Sequence, residues 1–148
     1  MRRFRFKLQS LLDYRRRLKE QWETATAAAV QALIQAERTL QQLNSTWQQS
    51  VEAFYRQQQQ AVAAEVYDHY HQYLTKLKNE IAAQQVRVEQ AHKHLEECRR
   101  KLQDATKDYK VVEKIKEHEW ERYCQEMLAA EQKMLDEIGQ QNYLRALS

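Results

Sequence analysis

His69 and His71, His92 and His94, and Cys98 and Cys124 are the side chains with most chemistry to offer. On a helix, residues two apart point about 200° from each other, so neither His-x-His pair converges on one metal ion. Glu89 and His92 have the Glu-x-x-His spacing of di-iron bundles, which also need four helices and matching acids. One copy on a chain with room for two helices leaves solvated histidines. A bundle metalloenzyme would instead need stoichiometric iron or manganese. Cys98 and Cys124 on one helix would stand about 39 Å apart, beyond the reach of a disulfide. Cys98 is read as a small apolar residue between helices and Cys124 as a free thiol.

Nucleotide and acyl chemistry lack their parts as well. A single glycine cannot build a phosphate-cradling loop, and no Gly-x-Ser-x-Gly elbow occurs. Two helices enclose no water-excluding pocket. No catalytic residue, metal ligand or cofactor is expected, and the function must lie in binding surfaces.

The elements that carry those surfaces are helices. The 148 residues include no proline and one glycine, Gly139, so almost nothing interrupts a helix. Alanine, glutamine, glutamate, lysine, leucine and arginine dominate, as in long helices and coiled coils. Mean hydropathy is -0.93, enough apolar content for a seam but not for a thick core. No apolar run is long enough for a membrane span or a signal-peptide core, so a cytoplasmic protein is expected.

From Tyr67 to Val112 the seam is regular: Tyr67, Tyr70, Leu74, Leu77, Ile81, Gln84, Val88, Ala91, Leu95, Cys98, Leu102, Ala105, Tyr109, Val112. Steps of three and four alternate without a break, which is a heptad pattern. Gln84 is its only plainly polar member. After Val112 the phase is expected to shift to Ile115, Trp120, Tyr123, Met127, Ala130, Met134 and Ile138. Gly139 then stands where a helix C-cap would.

The partner strand is sought upstream. Leu18, Trp22, Ala25, Ala29, Ala32, Ala36, Leu40, Leu43, Trp47, Val51 and Phe54 form a second stripe, with slips near Ala36 and Val51. Before it, Phe4, Phe6 and Leu8 alternate with Arg3, Arg5 and Lys7, an extended pattern, although Phe4, Leu8 and Leu11 equally have helical spacing. Ser10-Leu11-Leu12-Asp13 resembles a capping box.

The expected fold is all-α: an antiparallel two-stranded coiled-coil hairpin, with one helix over about 8–59 and another over about 64–138. Residues 1–148 form one coiled-coil domain, with a lead-in at 1–8, a turn region at 57–64 and a tail at 139–148. The turn, Gln57-Gln58-Gln59-Gln60-Ala61-Val62-Ala63-Ala64, contains no turn-forming residue. It is placed there because the two heptad phases do not join. The competing architecture is one continuous helix per chain, paired with a second chain.

Two surfaces stand out. Residues 1–22 hold eight basic side chains against two acidic ones, a local charge of +6, which suits nucleic acid, anionic lipid or an acidic protein surface. Phe4, Phe6, Leu8 and Leu12 exceed what one seam buries. Near the turn, Tyr55 and Tyr73 lie beside Phe54, Tyr67 and Tyr70, as hairpin packing or as a docking patch.

Phe4-Arg5-Phe6-Lys7-Leu8-Gln9-Ser10-Leu11-Leu12-Asp13-Tyr14-Arg15 resembles the opening of the bacterial flagellar export protein FliJ family. Tyr73-Leu74-Thr75-Lys76-Leu77 leading to Ile81, Val112-Glu113-Lys114-Ile115-Lys116-Glu117, and Glu131-Gln132-Lys133-Met134-Leu135-Asp136-Glu137-Ile138 resemble it too, in the same order. The resemblance implies an antiparallel coiled coil similar to the central stalk of rotary ATPases. It implies a place inside the hexameric flagellar export ATPase ring, contact with the membrane export-gate protein, and escort of export chaperones. Relatives serve injectisomes. By that analogy Phe4, Phe6, Leu8, Leu11 and Leu12, with Glu131, Gln132, Leu135 and Asp136 opposite them, are expected to bind the ATPase ring. Tyr55, Tyr73 and Leu77 are expected to bind the export gate. A cytoplasmic protein peripherally associated with the inner membrane face at the flagellar base follows, with no nucleic-acid partner. The rival is an adaptor or scaffold that holds nucleic acid or an anionic membrane surface through its basic N-terminus.

Overall fold

The computed structural model describes residues 2–60 and 63–148. It is an all-α helical hairpin of two elements, α1 (Gln9–Gln58) and α2 (Ala64–Leu147). The upstream boundaries agree with the sequence reading. Downstream, α2 runs on past Ile138 to Leu147. The expected cap is not formed: Gly139 does not take positive φ, and helical hydrogen bonding continues through it. One glycine lowers helix propensity without ending a helix when no proline or second breaker follows.

At the other end of α1 the expected capping box is displaced. The Leu12 N–H donates to the Leu8 carbonyl at 2.9 Å, so the first turn already encloses Ser10. Residues 2–6 are not helical, which resolves the two readings of the lead-in toward the extended one. In the turn region Gln59 and Gln60 leave the helix, and the Ala63 carbonyl accepts from Val66 and Tyr67 at 3.1 and 3.3 Å to start α2. Residues 61 and 62 of the expected turn lie outside the described residues.

Threonine, a weak helix former, is accommodated by one device. Thr26, Thr39, Thr46 and Thr75 each donate their hydroxyl to the carbonyl four residues back, at 2.6 to 3.0 Å.

Packing divides the chain into two units, Gln21–Gln103 and Met1–Glu20 with Asp104–Ser148. In the first, Ala29, Leu33, Leu95 and Cys98 are buried, and Trp22, Ala25, Val30, Val88 and Ala91 pack around them. Pairing is antiparallel: Lys101 lies 4.8 Å from the Trp22 ring centroid, and Phe54 packs on Tyr67 and Tyr70 at 5.4 and 5.7 Å. The α2 seam follows the expected residues from Tyr70 onward. The α1 seam differs at one step: Leu33 is 8% exposed, while Ala32 faces solvent. Passing through Leu33, the α1 stripe keeps its alternation of fours and threes from Ala29 through Leu40 to Trp47, so the slip expected near Ala36 is absent.

In the second unit Phe6, Leu12 and Val112 are buried, with Phe4 and Tyr109 against them. The shift expected after Val112 fails at its first member, while Trp120 and Tyr123 do meet the lead-in and Met127 is half-buried. Ile115 is 38% exposed, and the in-phase residue Lys116 is half-buried, its Nζ donating to Gln9 Oε1 at 2.9 Å. A lysine is tolerated there because its ammonium finds an amide oxygen and lies 6.0 Å from the Phe6 ring centroid. From Leu128 onward every residue of α2 is exposed. The positions Ala130, Met134 and Ile138 have the spacing of a seam and nothing from residues 2–20 over them, because Arg2 already pairs with Tyr123.

Candidate functional site

The histidine, cysteine and acidic side chains weighed for chemistry do not assemble. His92 Nε2 faces Glu37 Oε1 of α1 at 3.7 Å, and Glu89 pairs with Lys93 at 3.5 Å, so the Glu-x-x-His spacing unites nothing. Cys98 Sγ lies 3.7 Å from His94 Nε2, one turn back on the same helix. Among the described residues no group of three or more His, Cys, Asp or Glu is arranged to hold a metal ion. The candidate site is a surface.

It is built on the extended lead-in of residues 2–6, held down by aromatic rings of α2. The Tyr123 hydroxyl donates to the Arg2 carbonyl at 2.6 Å. Phe4 meets Trp120 edge-on at 5.1 Å and Tyr123 at 5.5 Å, and Trp120 stacks on Tyr123 at 5.7 Å. Alternation then sends Phe6 inward and leaves Arg3, Arg5 and Lys7 exposed. Four basic side chains, Arg2 among them, therefore surround an aromatic anchor.

Beside the anchor lies an apolar patch. Leu8, Leu11 and Arg15 share one stripe of α1 (i, i+3, i+7), and Asp108, Val111 and Ile115 share one stripe of α2. Arg15 Nη1 donates to the Asp108 carbonyl at 2.8 Å, which brings the two stripes side by side. Leu8, Leu11 and Ile115 are 36 to 39% exposed and Val111 is 55% exposed, large values for neighbouring aliphatic groups. Across the seam, Lys19 and Arg16 sit over the Tyr109 ring at 4.9 and 5.8 Å. A hydrogen bond with Tyr109 raises the Arg16 pKa further above the range where it could lose its charge.

Of the residues expected to bind a ring, Leu8 and Leu11 are on this patch, and Phe4 is half-buried against Trp120 and Tyr123. Phe6 and Leu12, 8% and 2% exposed, are core. Glu131, Gln132, Leu135 and Asp136 are all exposed, with Gln132 Nε2 donating to Asp136 Oδ1 at 3.1 Å. They do not stand opposite residues 4–12, as expected from sequence: Trp120 faces Phe4, and Val112 packs with Leu12. Val111 was missed because it falls outside the heptad, and Ile115 because a phase shift would have buried it.

A family model, the flagellar FliJ protein, matches residues 4–148. The chain belongs to the flagellar FliJ protein family. A search of curated proteins found no match, and neither did a search of solved structures. As a FliJ-family protein it is a component of flagellar protein export. The match takes in the lead-in, both helices and α2 as far as its last residue, so the uncovered stretch from Leu128 is part of the FliJ pattern. No helix among the described residues is long and apolar enough to cross a membrane.

In the FliJ-family chain a second aromatic group gathers around Phe54. Its ring lies 6.5 Å from Tyr55 as well as against Tyr67 and Tyr70. Tyr55 is 64% exposed and Tyr73 45% exposed. Leu77, grouped with them from sequence, is buried in the seam at 5%.

Proposed function

We propose that this protein is a non-enzymatic central-stalk and general chaperone component of flagellar protein export. In this reading it inserts into the hexameric export ATPase ring, promotes ring assembly and activity, and links the ring to the membrane export-gate protein. The family match over residues 4–148 supports the reading. The observation that carries it is the exposed patch of Leu8, Leu11, Val111 and Ile115 beside four exposed basic residues. Apolar anchors give such an interface its affinity, and the basic rim speeds and orients encounter with an acidic collar.

Leu8 and Leu11 make the ring contact, with Phe4, Phe6 and Leu12 forming the support beneath them. Glu131, Gln132, Leu135 and Asp136 extend the contact along α2. Tyr55 and Tyr73 contact the export gate, and Leu77 holds the helix that presents Tyr73. An asymmetric pair of helices cannot touch six subunits equally. It therefore favours particular subunit states through differential binding. The protein works in the cytoplasm against the inner membrane face, and escorts export chaperones.

The test is ATP hydrolysis by the cognate export ATPase with and without the protein, alongside negative-stain imaging of rings. Stimulation together with more six-fold rings supports the reading. No effect at saturating protein overturns it and favours an adaptor that holds an anionic surface through Arg2, Arg3, Arg5 and Lys7. Such binding weakens steeply with salt.

A further inference from the structure

We propose that Gln84 and Ala36 form a register lock within the Gln21–Gln103 unit. Gln84 is 6% exposed, the one buried polar side chain of the described seam. Its Nε2 donates to the Ala36 carbonyl of α1 at 3.0 Å, and its Oε1 accepts from Arg87 Nη1 at 3.5 Å. Both ends of the amide are thus engaged, and no buried side-chain polar atom among the described residues is left without a partner.

A lock is useful because neither the connection nor the alanine-lined middle of the interface sets the pairing sharply. Residues 57–64 contain no glycine, proline, asparagine or aspartate, so the connection does not dictate where it bends. Lengthening one helix by about one turn and shortening the other by as much slips the pairing by one heptad and would cost little in helix propensity. The middle of the interface is lined by Ala25, Ala29 and Ala91, and methyl groups interlock too shallowly to select one heptad over the next. A polar side chain in a seam does select, because each wrong pairing strands it.

The layer opposite Gln84 suits that role. Ala36 leaves its own carbonyl open to an incoming side chain. A slip of one heptad in one direction would set Gln84 against Leu43, whose side chain covers the backbone. The other direction would offer Ala29 but break up the Leu33, Leu95 and Cys98 cluster. The lock keeps one pairing and costs stability relative to an apolar layer.

Four observations on the full chain test this. The Gln84 side-chain amide protons should exchange with solvent far more slowly than those of Gln57–Gln60; equal rates overturn the hydrogen bond. Gln84→Leu should raise Tm by about 4 °C and split the amide resonances of the seam into two sets as a second pairing becomes populated. A single set, at any Tm, overturns the lock. Ala36→Leu should lower Tm by a similar amount, and most of that loss should vanish when Gln84→Leu is added. Additive shifts overturn the pairing of the two residues. Should Gln84→Leu precipitate, Gln84→Met is read the same way.

Discussion

Phe4 presents its ring edge-on to Trp120, with centroids 5.1 Å apart and the planes at 78°. That contact makes the extended lead-in, and not a further turn of α1, the cover for this part of α2. It depends on alternation: with Phe4 and Phe6 inward, the arginines between and beside them stay in water. Edge-to-face ring pairs contribute about 0.5–1.5 kcal/mol beyond the area they bury. A double-mutant cycle of Phe4→Ala and Trp120→Ala is expected to return a coupling of that size in denaturant unfolding. A coupling near zero would mean that the ring pair adds nothing beyond the area it buries, leaving Phe6 and the Tyr123 hydrogen bond to hold the lead-in.

Leu11 and Leu12 are adjacent in sequence and opposite in role, at 36% and 2% exposed. Leu12→Ala should lower stability by about 2–5 kcal/mol through the cavity it leaves beside Phe6 and Val112. Leu11→Ala should stay within about 0.5 kcal/mol of the parent chain. Equal losses would place both leucines in the core.

Function should divide along the same line. Leu8→Asp combined with Leu11→Asp is expected to leave the circular-dichroism helix signal intact and to remove stimulation of the export ATPase. Leu12→Asp would remove both together. Stimulation that survives the first pair would rule out the patch as the ring contact.

Much of this was written in spacing. The α2 seam from Tyr70 to Val112 could be read residue by residue, because alternating threes and fours leave a helix one face to bury. Leu33 and Lys116 could not. Ala32 and Leu33 both fit a stripe of alanines loosely, and only the partner helix decides between them. Lys116 looks like a break in the pattern until Gln9 is seen to receive its ammonium. For the candidate site, residue type pointed to the segment 4–12, within which adjacent hydrophobic residues divide between core and surface. That division depends on the lead-in being extended, which alternation and helical spacing left open.

Gly139 sits mid-helix with nothing within 4 Å of where a Cβ would be. Gly139→Ala should therefore stabilise the exposed end of α2 by about 0.5–1 kcal/mol and raise total helicity. A drop in helicity would restore the C-cap that the sequence suggested.

Tyr73 and Leu77 lie one turn apart on α2, one open to solvent and one 5% exposed. Tyr73→Ala should weaken binding to the export-gate protein in a pull-down by several fold with no change in Tm. Leu77→Ala should lower Tm. If Tyr73→Ala leaves gate binding unchanged, Tyr73 is not part of the gate contact.

The two thiols offer a different use. Cys98 is sealed between the helices at 2% exposed, whereas Cys124 is half-open on α2. A thiol reagent will therefore label one position at once and the other only when the helices part. The native chain carries its own clock for how often the hairpin breathes, and for how far a bound partner slows it.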